Sequence, residues 1–136
     1  MTNRPKAIGT AAETAVVKAL QRLGFEHATR VPLSGSHDRG DVHANPGSDE
    51  LLIVEVKGGA QAHDPGDALL ASWLDQLAAE ISNAGAADGI LVCQRRSVGP
   101  QNAGRWWAWH TTAPNMLPLP VRMTLADTIH HLRWLP

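Results

Sequence analysis

The pattern of apolar and polar residues is clearest at residues 51–57, Leu-Leu-Ile-Val-Glu-Val-Lys. This apolar run has the length of a strand, is rich in β-branched residues and follows a turn-forming stretch at residues 45–49. Because side chains alternate along a strand, Glu55 and Lys57 are expected on the same face. The run predicts a buried strand with two charges at its end. Gly58-Gly59 is expected to end this strand and to let a ligand approach the backbone.

Periodicity elsewhere predicts a chain in which helices and strands alternate. Helices are predicted over about residues 8–23, from Asp64-Pro65 to Gly85, and from a capped start at Thr124. Strands are predicted at 88–94 and 105–110, where Trp107 and Trp109 share one face and Trp106, Ala108 and His110 share the other. The order of these elements predicts an α/β fold, with a central mixed β-sheet flanked by helices.

Length and composition favour a single domain. The 136 residues are 43% hydrophobic, which suits one core over about residues 7–110 and a helical tail over about 121–136. The sequence contains no long apolar segment and no recognisable signal peptide, so we expect a cytoplasmic protein with no membrane partner. The single Cys93 excludes an internal disulfide framework and, beside seven histidines, cannot build the usual thiolate zinc cluster.

Net charge is a weaker guide to the partner. A value of −1 is not the strongly basic balance that is typical of a DNA-binding protein. The charge is unevenly distributed, because residues 89–136 contain five arginines and the single acid Asp127. A local basic face that includes Arg95 and Arg96 is therefore compatible with DNA binding of modest, salt-sensitive affinity.

Asp41 is the residue that gives the charged strand end a chemical interpretation. The turn is expected to fold residues 41–44 back against the 51–57 strand as an antiparallel hairpin, so that Asp41 meets Glu55 and Lys57. Two converging carboxylates bind a hard cation such as Mg²⁺, and a nearby ammonium can orient a water or stabilise charge on a phosphate. A plain ion pair is the alternative. The position of Asp41 favours a metal-dependent nuclease.

Glu13 lies on the apolar stripe of the first predicted helix. It precedes Val16, Val17 and Leu20 by three, four and seven residues, so its carboxylate is expected to face inward. Two explanations remain open. Glu13 could join the site, or it could close a capping box with Thr10 at the start of the helix.

A series of short motifs extends the pattern over about the first ninety-five residues. The motifs are Gly9-x-x-x-Glu13, Gly24-Phe25, Arg30, Ser34-Gly35-Ser36, Asp41-Val42-His43-Ala44 and Glu55-Val56-Lys57. In this order they resemble the PD-(D/E)xK nuclease superfamily and, within it, the archaeal-type and phage Holliday junction resolvases. The sequence departs from the superfamily pattern in having Arg39-Gly40 before Asp41, where the superfamily's name has proline.

The resemblance implies a restriction-endonuclease-like core and a Mg²⁺-dependent endonuclease, with Mn²⁺ as a plausible substitute. It implies that Asp41 and Glu55 bind the metal, that Glu13 joins them, and that Lys57 positions or activates the attacking water. The implied substrate is a four-way DNA junction, cut by a homodimer because paired symmetric cuts need two sites. A compact resolvase would suit a phage or a prokaryote.

The loop over residues 31–40 is expected to contact the DNA backbone, because loops on a rigid scaffold often carry binding residues. By resemblance, Arg30 would hold a phosphate near the metal, and Ser34 or Ser36 would assist cleavage. Arg39 would add positive charge to the same loop. Asp38 is a weaker metal candidate than Asp41, because it lies three residues further out in the loop.

Two further interpretations remain. The same fold could cleave other branched or single-stranded DNA, since fold does not fix substrate. Alternatively, the chain could be a non-catalytic DNA-binding or assembly protein that uses the tryptophans at 106–109 as its contact surface, although an intact Asp41, Glu55 and Lys57 set argues against this. Gln76 is a minor candidate, because a helix at this place bears a site glutamine in some related nucleases.

Overall fold

A computed structural model describes residues 4–32, 40–112 and 120–133 of the chain. The helices are α1 (Arg4–Arg22), α2 (Ala60–His63), α3 (Asp67–Ala84) and α4 (Leu125–Arg133). The strands are β1 (Thr29–Arg30), β2 (Val42–His43), β3 (Leu52–Lys57), β4 (Asp88–Cys93), β5 (Trp107–Thr111) and β6 (Met123–Thr124). The predicted α/β fold with a mixed sheet flanked by helices is confirmed. In the described residues, no helix combines the length and apolar character needed to cross a membrane.

The six strands form one sheet in which spatial order follows chain order from β1 to β6. Strands β3 and β4 run parallel and every other neighbouring pair is antiparallel. A parallel pair needs a crossover connection, which α2 and α3 supply here. The antiparallel β2–β3 pair is the hairpin predicted from the sequence, with Val42 opposite Val54.

Helices cover both faces of the sheet, and the alternation of β3 divides its side chains between them. Val54 and Val56 pack into the core cluster that includes Leu20 of α1. Ile53 packs into the second cluster, which includes Leu77 of α3. Glu55 and Lys57 follow Ile53 by two and four residues, so they lie on the same α3 face of the sheet, as alternation predicts.

Helix α1 begins at Arg4, four residues before the predicted start. Pro5 lies in its first turn, where a missing N–H costs nothing because those donors have no partner within the helix. Thr10 is therefore inside the helix, and its carbonyl accepts a hydrogen bond from the Thr14 hydroxyl at 2.9 Å. The capping-box explanation for Glu13 is wrong, because a residue within a helix cannot cap its start.

Two other helix ends agree with the sequence. Helix α3 ends at Gly85, which adopts the left-handed conformation with φ of 64°. At the start of α4, the Thr124 hydroxyl accepts a hydrogen bond from the Asp127 backbone N–H at 3.1 Å. The predicted strand at 105–110 begins later than expected, because residues Pro100–Arg105 form a 3₁₀ helix.

Gly58 provides a close contact between the end of β3 and helix α1. A Cβ atom at this position would lie 2.9 Å from the Cβ of Ala12 and 3.3 Å from the carbonyl oxygen of Ile8. A side chain would therefore push α1 away from the sheet. The glycine lets a helix approach, a packing role that the sequence interpretation does not include.

Candidate active site

The hairpin brings Asp41 to the end of β3. The β2–β3 register pairs Val42 with Val54, and continuing it by one residue sets Asp41 opposite Glu55. Asp41 Oδ2 accepts a hydrogen bond from the Val56 backbone N–H at 2.9 Å. The Asp41 carbonyl oxygen accepts another from the Val31 N–H, also at 2.9 Å. Hydrogen bonds from both neighbouring strands thus fix this aspartate.

Gly40 adopts a backbone conformation that a proline could not take. Its φ is +91°, and an added Cβ would lie 3.3 Å from the Ile53 side chain. Proline holds φ near about −65° and cannot adopt this conformation. Glycine is therefore the residue that allows the chain to turn into Asp41 at this place.

Glu55 is a buried carboxyl group with only 3% of its surface exposed. Its Oε2 atom is buried and accepts no hydrogen bond from an N–H or hydroxyl group of the described residues, and the carboxyl groups of Glu80 and Asp41 lie within hydrogen-bonding reach of Glu55. Burial, the largest cause, and the nearby Glu80 carboxyl together raise the pKa of Glu55 to about 9, against the lowering effects of Asp41 and Lys57. With this pKa the metal-free carboxyl is protonated near neutral pH and can share its proton with the neighbouring Glu80 and Asp41 carboxyls, whereas an ionised Glu55 in this enclosed place needs a cation.

Glu80 is the site residue that sequence reasoning missed. It lies on α3, is 1% exposed, and sits within hydrogen-bonding reach of Glu55. Its position is three residues after Leu77, on the apolar stripe of the helix. The criterion that singled out Glu13, a carboxylate on an apolar stripe, identifies Glu80 as well when it is applied to this helix.

Lys57 is held beside Glu55 by groups from two elements. Its Nζ lies 3.7 Å from Glu55 Oε1 on the same strand. From α3, the Gln76 Oε1 atom accepts a hydrogen bond from Nζ at 3.4 Å, and the Trp73 ring centre lies 5.4 Å from it. The structure therefore brings the minor candidate Gln76 next to Lys57.

Glu13 faces Asp41 from helix α1. Its Oε1 lies 3.1 Å from Arg30 Nε. Burial raises the pKa of Glu13 and the Asp41 carboxylate raises it further, whereas Arg30 lowers it. These three side chains contribute to the lining of a cavity of about 360 Å³. Asp41 therefore interacts electrostatically with Glu13 as well as with Glu55.

The remaining DNA-binding candidates fall into two groups. Ser34, Ser36 and Arg39 lie outside the described residues, as does Asp38. Arg95 and Arg96 follow β4, in a turn that is closed by a hydrogen bond from the Val98 N–H to the Arg95 carbonyl at 3.2 Å. The second group therefore lies at the end of a central strand.

No protein-family model matches the chain, and searches of curated proteins and of solved structures found no match. Within the described residues, no group of three or more His, Cys, Asp or Glu side chains is arranged so that it could hold a metal ion.

Proposed function

We propose that the chain is a metal-dependent endonuclease that hydrolyses DNA phosphodiesters at the Asp41, Glu55 and Lys57 cluster. The observation that carries the proposal is the convergence of these residues. Asp41 is hydrogen-bonded to β3 opposite Glu55, Glu55 is buried with the Asp41 carboxyl within hydrogen-bonding reach, and Lys57 Nζ lies 3.7 Å from Glu55 Oε1. A structural ion pair needs only the last of these contacts.

The donor chemistry fits Mg²⁺. The candidate ligands are carboxylate oxygens from Asp41 and Glu55, and Mg²⁺ commonly uses one or two carboxylates while retaining several waters. A group of three protein ligands is therefore not required. A cation that binds here takes the place of the proton on Glu55, which offsets the cost of ionising this buried carboxyl group.

Each residue has a distinct role in this proposal. When held by Asp41 and Glu55, Mg²⁺ would supply an acidified water and neutralise charge that develops on the phosphate. Asp41 and Glu55 bind and orient the ion, while Lys57 donates a hydrogen bond to the attacking water or to a phosphate oxygen. Gln76 orients Lys57. Hydrolysis joins the water oxygen to phosphorus and breaks one phosphorus–oxygen ester bond of the DNA strand; the departing oxygen takes up a proton, so one end carries a phosphate and the other a hydroxyl.

Glu13 is proposed as a helper in this site. The Asp41 carboxylate raises the pKa of Glu13, which supports a position of Glu13 near the proposed metal ligands. The ion pair of Glu13 with Arg30 also holds that arginine at the same cavity. Arg30 is about half exposed, with 46% of its side-chain surface accessible, so its guanidinium is also available to a phosphate.

The proposed substrate is a four-way DNA junction, and the proposed active form is a homodimer. Both proposals are supported by the resemblance to Holliday junction resolvases. Paired cuts on opposite strands require two sites related by symmetry, which a two-fold dimer provides.

A cleavage assay on a labelled synthetic four-way junction and a matched linear duplex tests the proposal. Both DNAs are incubated with Mg²⁺ or with a chelator, using wild type, Glu55→Gln and the control Glu50→Gln. Glu50 is an exposed residue just before the same strand, so the control changes the same chemical group away from the cluster. We expect Mg²⁺-dependent paired cuts in the junction, slowed at least about 10²-fold by Glu55→Gln only.

The possible outcomes separate chemistry from substrate. Cutting of other DNA forms that still requires Glu55 retains the nuclease and rejects the junction. Binding without cutting, unaffected by Glu55→Gln, would reject the nuclease in favour of a DNA-binding protein.

A further inference from the structure

Two arginines pack against one tryptophan at the β4–β5–β6 side of the sheet. The guanidinium carbon of Arg95 lies 3.9 Å from the Trp107 ring centre, and that of Arg122 lies 4.2 Å from it. Arg95 also donates a hydrogen bond from Nη1 to the Arg105 carbonyl oxygen at 3.1 Å. We call these three residues, Arg95, Trp107 and Arg122, the arginine–tryptophan stack.

The sheet register explains why the three side chains meet. Trp107 on β5 pairs with Cys93 of β4 on one side and with Thr124 of β6 on the other. Arg95 lies two residues after Cys93, and Arg122 lies two residues before Thr124. Both arginines lie just beyond a strand end, and their contacts with the Trp107 ring place them on the side of the sheet that Trp107 occupies.

The positive charge of this region has no carboxylate partner in the parts of the chain that are described. Arg95 and Arg122 lie close to two further arginines in sequence or space, Arg96 and Arg105, and none of the four forms an ion pair there. Holding like charges together without a counter-charge destabilises the folded protein. An arrangement of this kind is explained when an anion binds between them.

The stack lies in line with the candidate active site. Lys57 pairs with Cys93, and Cys93 pairs with Trp107, so these three residues form one row across β3, β4 and β5 on the α3 face. The backbones of Lys57 and Trp107 are two strand spacings apart, a distance of about 10 Å. A DNA strand that crosses the ends of these strands passes both places.

We propose that Arg95 and Arg122, held by Trp107, clamp the sugar–phosphate backbone of the DNA strand next to the phosphodiester that is cleaved. The proposal rests on the function proposed above, because it identifies a neighbouring part of the same substrate. Guanidinium groups match phosphate oxygens in geometry, and stacking on an indole fixes their planes before binding. Both guanidinium carbons lie within 4.2 Å of the ring centre, so Trp107 already contacts two arginines, and the N–H groups of these arginines favour a phosphate as the ligand.

Equilibrium binding of labelled DNA across a range of salt concentrations, with a chelator present, tests the clamp. The variants are Arg95→Ala, Arg122→Ala, their combination and Arg122→Lys, with Lys18→Ala as the control. Lys18 is an exposed cation on α1, which covers the opposite face of the sheet. Thermal unfolding of each variant shows whether the fold is retained.

We expect each alanine variant to weaken binding about tenfold and to lower the slope of log affinity against log salt by about one. Arg122→Lys should retain the salt slope and lose part of the affinity, because lysine keeps the charge but not the stacked plane. A neutral methylphosphonate at the contacted linkage should weaken wild type and have no further effect on the double variant. Lys18→Ala should bind like wild type.

The clamp is overturned if the folded double variant binds DNA with wild-type affinity and salt slope. It is equally overturned if affinity falls while the salt slope and the methylphosphonate response stay unchanged, because that pattern indicates base stacking. If the wild type cuts DNA and the double variant binds DNA normally, the clamp alone is rejected. If the wild type never cuts DNA but the double variant loses the response to the methylphosphonate, the nuclease alone is rejected.

Discussion

Glu55 on β3 and Glu80 on α3 bring two carboxyl groups together in the interior, where they are 3% and 1% exposed. Neighbouring carboxyl groups in a buried place cannot both ionise at low cost without a cation. Strongly raised carboxyl pKa values of this kind cluster at functional sites. This pair lies beside Asp41 and Lys57, so the stability of the metal-free protein should respond to pH in a defined way.

The first prediction concerns the pH dependence of Glu55→Gln. The pKa of Glu55 is about 9 in the folded protein, compared with an ordinary value of 4.5. The folded state holds the proton on Glu55 more tightly than the unfolded chain does. The contribution of this proton to the free energy of unfolding is therefore fully present below about pH 4.5 and is lost as pH rises through about 9. Glutamine mimics the neutral carboxyl, so Glu55→Gln should become increasingly more stable than wild type across that range.

Thermal unfolding in a chelator at several pH values measures this difference. The exposed Glu50→Gln should show no such trend. A difference between wild type and Glu55→Gln that stays constant from about pH 5 to about pH 9 would contradict the raised pKa.

The second prediction is that Mg²⁺ or Mn²⁺ stabilises the protein more as pH rises. A cation needs ionised carboxylates, and it competes with the proton that Glu55 holds below about pH 9. The increase in unfolding temperature on adding metal should therefore grow with pH in wild type and be absent in Glu55→Gln. Equal stabilisation of both proteins would assign the effect to other sites.

The third prediction concerns Gly40. Gly40→Ala should destabilise the protein by at least about 1–2 kcal/mol, because alanine is strained at positive φ and its Cβ would also press on Ile53. Gly47→Ala has the same backbone strain without a close contact, and Gly66→Ala has neither. Urea unfolding should rank the losses in that order. A Gly40→Ala variant as stable as Gly66→Ala would show that the turn before Asp41 relaxes.

The fourth prediction separates Lys57 from the metal ligands. Lys57→Ala should lower the cleavage rate by about 10²–10³-fold, because it removes a donor to the reacting groups, while leaving metal binding intact. Gln76→Ala should have a smaller effect, since it only loosens Lys57, whose Nζ it contacts at 3.4 Å. Lys18→Ala serves as the control. Loss of metal binding in Lys57→Ala would assign this lysine a structural role.

Much of the fold follows from local sequence patterns. The alternation in β3 sets Glu55 and Lys57 on one face, and the cap at Thr124 marks the start of α4. These features depend on residues that are near each other in the chain, so periodicity and capping rules identify them. The two-residue strands β1 and β6 are different, because such short segments become strands only through their neighbours in the sheet.

The parts of the site that the sequence did not predict also depend on contacts between segments that are distant in the chain. The approach of Glu80 to Glu55 depends on how α3 docks on the sheet, which no local pattern specifies. The meeting of Arg122 with Trp107 depends on the pairing of β5 with β6. Asp41 and Glu55 were accessible from sequence because one short hairpin joins them, and the register of a hairpin is set locally.

Calorimetric titration of Mn²⁺ into the chelator-free protein, at a pH near the raised pKa of Glu55, addresses the carboxylate cluster without requiring knowledge of the DNA substrate. Wild type, Glu55→Gln, Asp41→Asn and the exposed control Glu50→Gln are compared. We predict a binding site in wild type and in Glu50→Gln that is lost in both Glu55→Gln and Asp41→Asn. Equal Mn²⁺ binding by all four proteins would contradict a metal centre at Asp41 and Glu55.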